Sequence, residues 1–150
     1  MRPLRVFLVE NHQDSAKYII LYLEHLGHHV TAARDMATAL KEIPESNYDV
    51  LISDICLPDG DGWQLMERMK GTQPAFSIAM SGYGSVEDLR RSRSVGYNHH
   101  LVKPFPTGEL IALLQEASVA LGKEGNANKR DHPREGSEIG TGHATGDLEI

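Results

Sequence analysis

The stretch Val50-Leu51-Ile52-Ser53-Asp54-Ile55-Cys56-Leu57-Pro58-Asp59-Gly60 decides the fold. It opens as an apolar run, sets one carboxylate, Asp54, near the end of that run, and then meets turn residues at Pro58, Gly60 and Gly62. An apolar run this short, bounded by turn signals, reads as a strand covered on both faces of a parallel sheet. Ligands of open α/β sheets sit at the carboxyl ends of the strands, so Asp54 is the first candidate for chemistry.

Working outward, four more short strands are expected: Val6 to Val9, His28 to Ala33, Ala75 to Met80 and Tyr97 to Val102. Helical spacing fills the gaps between them. Ala16, Ile19, Ile20, Leu23 and Leu26 share one face before Gly27, and Met36, Ala39, Leu40 and Ile43 share another behind an Asp35 cap. Leu65, Met66 and Met69 face inward on a third helix from Gly62 to Lys70. Ser85 caps a fourth that runs to Val95 ahead of Gly96, and Leu110, Leu113, Leu114, Ala117 and Leu121 line a fifth from Thr107. Strands alternating with helices imply βαβ units, a parallel sheet and helices on both faces. The two strands richest in polar residues, around His28 and His99, suit the sheet's edges.

Composition narrows the function. The chain has 150 residues, 40% hydrophobic and 24% charged, with a net charge of −6. A length of this order suits one domain with a substantial core. A nucleic-acid binder usually carries a basic excess, which is missing here. No apolar run approaches the roughly 18 residues that cross a bilayer, and the N-terminal run is too short for a signal peptide. The lone cysteine, Cys56, excludes an internal disulfide. These features favour the cytoplasm. From Lys123 the sequence loses its aromatics and most apolar residues, so residues 1–122 are expected to fold and 123–150 to form a disordered tail.

The carboxyl ends of the five strands gather a chemically coherent set. The first gives Glu10 and Asn11, the third Asp54, the fourth Ser81 and the fifth Lys103. A carboxylate can attack an activated phosphorus and become an acyl phosphate. Phosphoryl transfer depends mainly on positioning and on neutralising the phosphoryl oxygens. Glu10, Asn11 and Asp54 offer oxygen ligands of the kind Mg²⁺ prefers. Lys103 can pair with one phosphoryl oxygen, and Ser81 can donate to another.

Four pieces in this order resemble the receiver domain of two-component response regulators: Leu8-Val9-Glu10-Asn11, Ser53-Asp54 through Gly62, Met80-Ser81-Gly82-Tyr83-Gly84, and Leu101-Val102-Lys103-Pro104-Phe105. The resemblance spans about residues 4 to 121. It implies an α/β, flavodoxin-like, doubly wound (βα)5 three-layer sandwich with parallel sheet order 2-1-3-4-5. It implies that Asp54 is the phosphoacceptor, that Ser81 follows the phosphoryl group, and that Lys103 is the family's lysine. Glu10, Asn11, Asp54 and the backbone carbonyl of Cys56 would hold Mg²⁺. The phosphoryl donor would be a sensor histidine kinase or a histidine phosphotransfer protein. A downstream protein, still unknown, would dock on the face of the fourth helix, fifth strand and fifth helix, where Arg90, Arg91, Arg93 and His99 lend basic character.

Two positions depart from the family pattern. Asn11 stands where an aspartate is usual, which removes one negative charge from the metal set and predicts weaker Mg²⁺ binding. His100 stands where a Tyr or Phe often sits, three residues before the lysine. These departures motivate a second reading, a degenerate receiver that acts as a phosphorylation-independent interaction module. A hydrolase passing through an aspartyl phosphate is weaker, because the acid it needs two residues beyond the nucleophile is replaced by Cys56. The first reading is therefore a signalling domain, not an enzyme in the ordinary sense. It has no membrane insertion and no direct nucleic-acid partner. It is expected either to stand alone or to be a piece of a longer protein.

Overall fold

The structure, a computed structural model, describes residues 2–125. Residues 3–103 form one compact unit, and residue 2 with 104–125 belong to a second. The sheet lies in the first unit. Its strands are β1 (Arg5–Val9), β2 (His29–Ala33), β3 (Val50–Asp54), β4 (Phe76–Ser81) and β5 (His99–Val102). All pairings are parallel, and the lateral order is β2-β1-β3-β4-β5. Helices α1 (Gln13–His25), α2 (Met36–Glu42), α3 (Gly62–Arg68) and α4 (Val86–Val95) connect them. This is the predicted (βα)5 order, with the two polar strands at the edges.

The apolar run that begins at Val50 becomes β3, with all five residues buried. A strand between two parallel neighbours has both faces covered, so it needs no polar alternation. On one face Phe7, Val9, Leu51 and Ala79 pack with Met36, Ala39, Leu65, Met66 and Met69 from α2 and α3. The alternate residues Val6, Leu8, Val50, Ile52, Ile78 and Met80 are fully buried on the other face.

Two caps formed where the sequence predicted them, on α2 and α4, while α1 starts at Gln13 behind His12 with no side-chain cap. The Asp35 carboxylate accepts from Thr38 N–H at 2.8 Å and the Ser85 hydroxyl from Asp88 N–H at 3.1 Å. Asp61 caps α3 through Gln64 N–H at 2.8 Å. Gly96 ends α4 with φ 122°, a conformation that glycine adopts without a steric penalty.

Three local differences have physical causes. The segment after Asp54 is an antiparallel ribbon, Cys56–Leu57 against Gly60–Asp61, because the Pro58–Gly60 turn closes back on itself. His28 precedes β2: its buried Nδ1 accepts the Leu4 N–H at 3.0 Å, and β2 starts one residue later. Tyr97 also lies outside its strand, buried with its hydroxyl donating to the Gly62 carbonyl at 2.7 Å.

In the second unit, α5 (Thr107–Gly125) buries Leu110, Leu114 and Ala117 of the predicted stripe, while Leu113 and Leu121 are half-buried. The helix continues to Gly125, past the predicted end at Leu121. The rest of the expected tail lies outside the described residues.

Candidate functional site at the carboxyl edge of the sheet

The strand register brings three of the predicted residues into direct contact. β1 and β3 are neighbours, so Glu10, one residue past β1, lies beside Asp54 at the end of β3. Lys103 comes from beyond β5. Its backbone N–H donates to the Ser81 carbonyl at 2.7 Å, which fastens the end of β5 to the end of β4. From there its side chain crosses the sheet edge. Nζ lies 2.8 Å from Glu10 Oε1 and 2.9 Å from Asp54 Oδ1.

The backbone around this cluster is tightly held. Glu10 N–H donates to the Ala33 carbonyl at 3.0 Å, and Ile55 N–H to the Met80 carbonyl at 2.8 Å. Gly62 N–H donates to the Ile55 carbonyl at 2.7 Å, folding the ribbon over the end of β3. A Cβ at Gly62 would stand 2.7 Å from the Asp54 carbonyl oxygen, so only glycine fits that approach. At the tip of the ribbon, Asp59 accepts from Met36 N–H at 2.8 Å and Ala37 N–H at 2.9 Å, which ties the loop after Asp54 to the start of α2.

Burial makes the charges interact strongly. Glu10 is 1% exposed and Asp54 is 6% exposed. Burial, then the neighbouring Glu10 carboxylate, pushes the Asp54 carboxyl up to about 7, with Lys103 opposing. Burial also acts to raise Glu10, but its hydrogen bonds with Asp54, Lys103 and the His12 backbone N–H outweigh that, and it stays below its usual value. Burial works against the Lys103 ammonium, yet its two carboxylate partners hold its pKa above the ordinary lysine value. Two acids and one ammonium leave the cluster with a net negative charge when both acids are ionised. Protons taken up here belong to the pair of acids as a unit.

The other predicted residues stand apart from this contact set. Asn11 follows Glu10 in the β1–α1 loop and is half-buried. Cys56 is exposed and pairs with Asp61 in the ribbon. Ser81 does not turn toward Asp54. Its hydroxyl donates to the Tyr83 carbonyl and bonds to His100 Nε2, the latter at 2.7 Å. On its other side, His100 Nδ1 meets Ser92 Oγ at 2.7 Å, and Ser92 Oγ accepts from Trp63 Nε1–H at 2.9 Å. Arg91 lies over the Trp63 ring at 4.1 Å and Arg90 pairs with Glu87 at 3.4 Å, so the basic face of α4 is partly engaged within the chain.

Ser92 and Trp63 escaped the sequence reading. The one available signal was phase: Leu89, Ser92 and Val95 recur at helical spacing, which puts a hydroxyl on the inward side of α4. Among the described residues no cluster of three or more His, Cys, Asp or Glu is arranged to hold a metal ion. The available donors are two carboxylates, an amide and backbone carbonyls. This all-oxygen set suits Mg²⁺, which commonly uses one or two carboxylates and keeps several waters.

The response regulator receiver domain profile matches residues 6–115. The chain belongs to this family, the receiver domain of two-component response regulators. It is 30% identical over 109 residues to the transcriptional regulatory protein HprR of Escherichia coli K12, covering 73% of this chain and 49% of that protein. It is 32% identical over 125 residues to an uncharacterised 14.6 kDa protein of Leptolyngbya boryana, covering 80% and 94%. Among solved structures, a CheY-like response regulator receiver domain protein from Methanospirillum hungatei JF-1 superposes with a TM-score of 0.76 at 25% identity, covering 82% and 99%. The chain thus spans about half the length of the transcriptional regulators it matches first. Among the described residues, no helix is long and apolar enough to cross a membrane.

Proposed function

We propose that this chain is a phosphoacceptor receiver, modified on Asp54 by a sensor histidine kinase or a histidine phosphotransfer protein in the cytoplasm. The observation that carries this reading is the single ammonium of Lys103 within 2.9 Å of two buried carboxylates from different strands. A surface ion pair needs no such construction. A site that must receive a phosphoryl group on one carboxylate does, because the transfer rests on fixed positions and on neutralised charge.

In the reaction, an Asp54 carboxylate oxygen attacks the phosphorus of a phosphohistidine. The Oδ–P bond forms, the N–P bond breaks, and the imidazole leaves with the electron pair of that bond. Asp54 must be ionised to attack, and its raised pKa puts that condition near neutrality. Lys103, already at the Asp54 carboxylate, would pair with a phosphoryl oxygen. Glu10, Asn11, Asp54 and the Cys56 carbonyl would hold Mg²⁺, which would supply charge neutralisation for the transfer. Asn11 would offer a neutral oxygen where a charged one is usual, and so bind the ion more weakly.

The phosphorylated form signals through the surface that begins with α4 and β5. Four large apolar side chains are exposed there or beside it, namely Tyr83, Val86, Leu89 and Val102, and solvent-facing apolar groups gathered in one place mark a docking surface. The test is incubation of the protein with a small phosphodonor and Mg²⁺, followed by intact mass. The reading expects one added phosphate that disappears in Asp54→Asn. No gain at any Mg²⁺ concentration, or a gain that survives the substitution, overturns it.

A further inference from the structure

Beside the phosphoryl site, the segments that follow β3 and β4 leave a cavity of about 420 Å³ between them. Its walls are mostly apolar. Ile55 and Leu57 come from the ribbon side, Trp63 from the start of α3, and Tyr83 from the loop ahead of α4. A cavity of this order holds a small organic molecule, and a few polar groups among apolar walls are the usual make-up of such a site.

The walls are fixed. The ribbon is pinned at its tip, where Asp59 joins the first turn of α2, and at its base, where Ile55 N–H donates to the Met80 carbonyl. On the other side the Ser81 hydroxyl donates to the Tyr83 carbonyl. A Cβ at Gly84 would collide with Val102 Cγ2, so that loop lies close against β5. The cavity is thus part of the fold, and filling it needs little ordering of the protein.

Its charge is one-sided. Asp61 and Asp88 line it, and among the described residues that line it none is a lysine or an arginine. Asp61 caps α3. Asp88 meets the Ser85 cap of α4 through its backbone N–H, which leaves its carboxylate to the cavity. Burial lowers the His100 pKa and Asp88 opposes it, so the charge of that carboxylate reaches the ring that lines the cavity. The neighbouring cations are committed elsewhere: Lys103 to Glu10 and Asp54, and Arg91 to the Trp63 ring from α4.

An apolar body with a positive head answers both features. The body takes the apolar walls out of water, and the head meets Asp88 beside aromatic rings that themselves attract cations. A neutral molecule of the same shape gains only the first, and an anion faces two carboxylates. We propose that this cavity is a binding site for a small organic cation, an amidinium or amine on a flat apolar body, with Asp88 as the acid that recognises it. Ser81 and Cys56 also border the cavity, so the occupant has its seat beside the phosphoryl site. The proposal is independent of the Asp54 reading, and its failure leaves that reading standing.

The probes are benzamidine, its neutral isostere benzamide and the anion benzoate, each added to the full chain in EDTA without phosphodonor. Trp63 is the sole tryptophan, so its fluorescence and its single indole resonance report on the cavity. We expect benzamidine to bind with a Kd of ~1 mM, the weak range proper to so small a ligand. Its ¹⁵N shifts gather on residues 55–63, 81–83 and 88. Benzamide binds about tenfold more weakly, the loss of one partly screened charge contact, and benzoate leaves the indole unmoved. In Asp88→Asn, benzamidine falls to the level of benzamide while benzamide is unchanged, and Asp88→Glu restores the preference. Alkylation of Cys56, the only cysteine and an exposed part of the wall, blocks binding. Each of the following overturns the proposal: no shift at about 10 mM benzamidine, equal affinities for benzamidine and benzamide, shifts centred away from the cavity, a full preference kept in Asp88→Asn, or binding that survives alkylation. Where Asp88→Asn loses its fold, the isostere comparison and the alkylation, both on wild type, decide the proposal without it.

Discussion

Two polar networks lie at the carboxyl edge of this sheet, and they are built on opposite principles. The Glu10–Asp54–Lys103 cluster is charged, almost sealed from water and mutually dependent. The Ser81–His100–Ser92–Trp63 chain is neutral, half-buried and directional. In the first, the energy lies in unlike charges brought together at low dielectric, so loss of the one ammonium strands two acids. In the second, each bond is modest, and what matters is that every donor has one acceptor. The charged cluster is therefore sensitive to the loss of a charge, and the neutral chain to the loss of a donor or acceptor. Gly62 lies at the junction of the ribbon and α3, near the Asp54 carbonyl on one side and the Tyr97 hydroxyl on the other.

The sharpest way to break the contrast is Lys103→Met. It leaves two buried carboxylates facing each other, a loss of ~3 kcal/mol in urea unfolding at about pH 8, since removing one partner of a buried pair costs far more than the pair contributes. The loss shrinks at about pH 5, where the pair of acids takes up a proton. An equal loss at both pH values contradicts the charged description. Asp54→Asn acts in the opposite sense. A carboxyl whose folded pKa, about 7, lies above its unfolded value stabilises the fold below the unfolded value and loses that contribution as pH rises through about 7. In EDTA, Asp54→Asn is therefore more stable than wild type by ~2 kcal/mol at about pH 8, and the advantage vanishes toward about pH 4.

Gly62→Ala probes the junction. The neighbour its methyl meets is a backbone carbonyl that cannot swing away, so we expect a loss of ~2 kcal/mol in thermal or urea unfolding. An unchanged stability shows that the ribbon over Asp54 is looser than described. The smallest effect is Asn11→Asp, which restores one charge to the metal set. It tightens Mg²⁺ about tenfold by titration calorimetry, or ~1.4 kcal/mol, a fraction of a unit-charge interaction at close range. No tightening removes Asn11 from the metal set.

The contrast also explains what the sequence made legible. The charged cluster could be read because its members stand at fixed places: an acid after an apolar run, a lysine before a proline, each at a strand's carboxyl end. The parallel register then does the rest, and the polarity of two strands marked the edges of a sheet whose full order the family resemblance implied. The neutral chain could not be read, because His100 meets Ser92 across an element boundary and through a choice of rotamers. Its members are ordinary residue types, and the departure at position 100 announced only that an aromatic was absent. Ser81 shows the division within one residue. Its place on the strand end was legible, and the direction of its hydroxyl was not. The same holds for the segment after Asp54, where Pro58 and Gly60 signalled a turn but not the ribbon that the turn closes.

The central claim is that Asp54 is the residue that takes the phosphoryl group. The most direct measurement is to treat the phosphodonor-reacted protein with borohydride, which reduces an acyl phosphate to the alcohol, and to map the product by peptide mass. The account predicts homoserine in place of Asp54, and at no other acid. Reduction at Glu10 or elsewhere, or no reduction in protein that has gained phosphate, would contradict it.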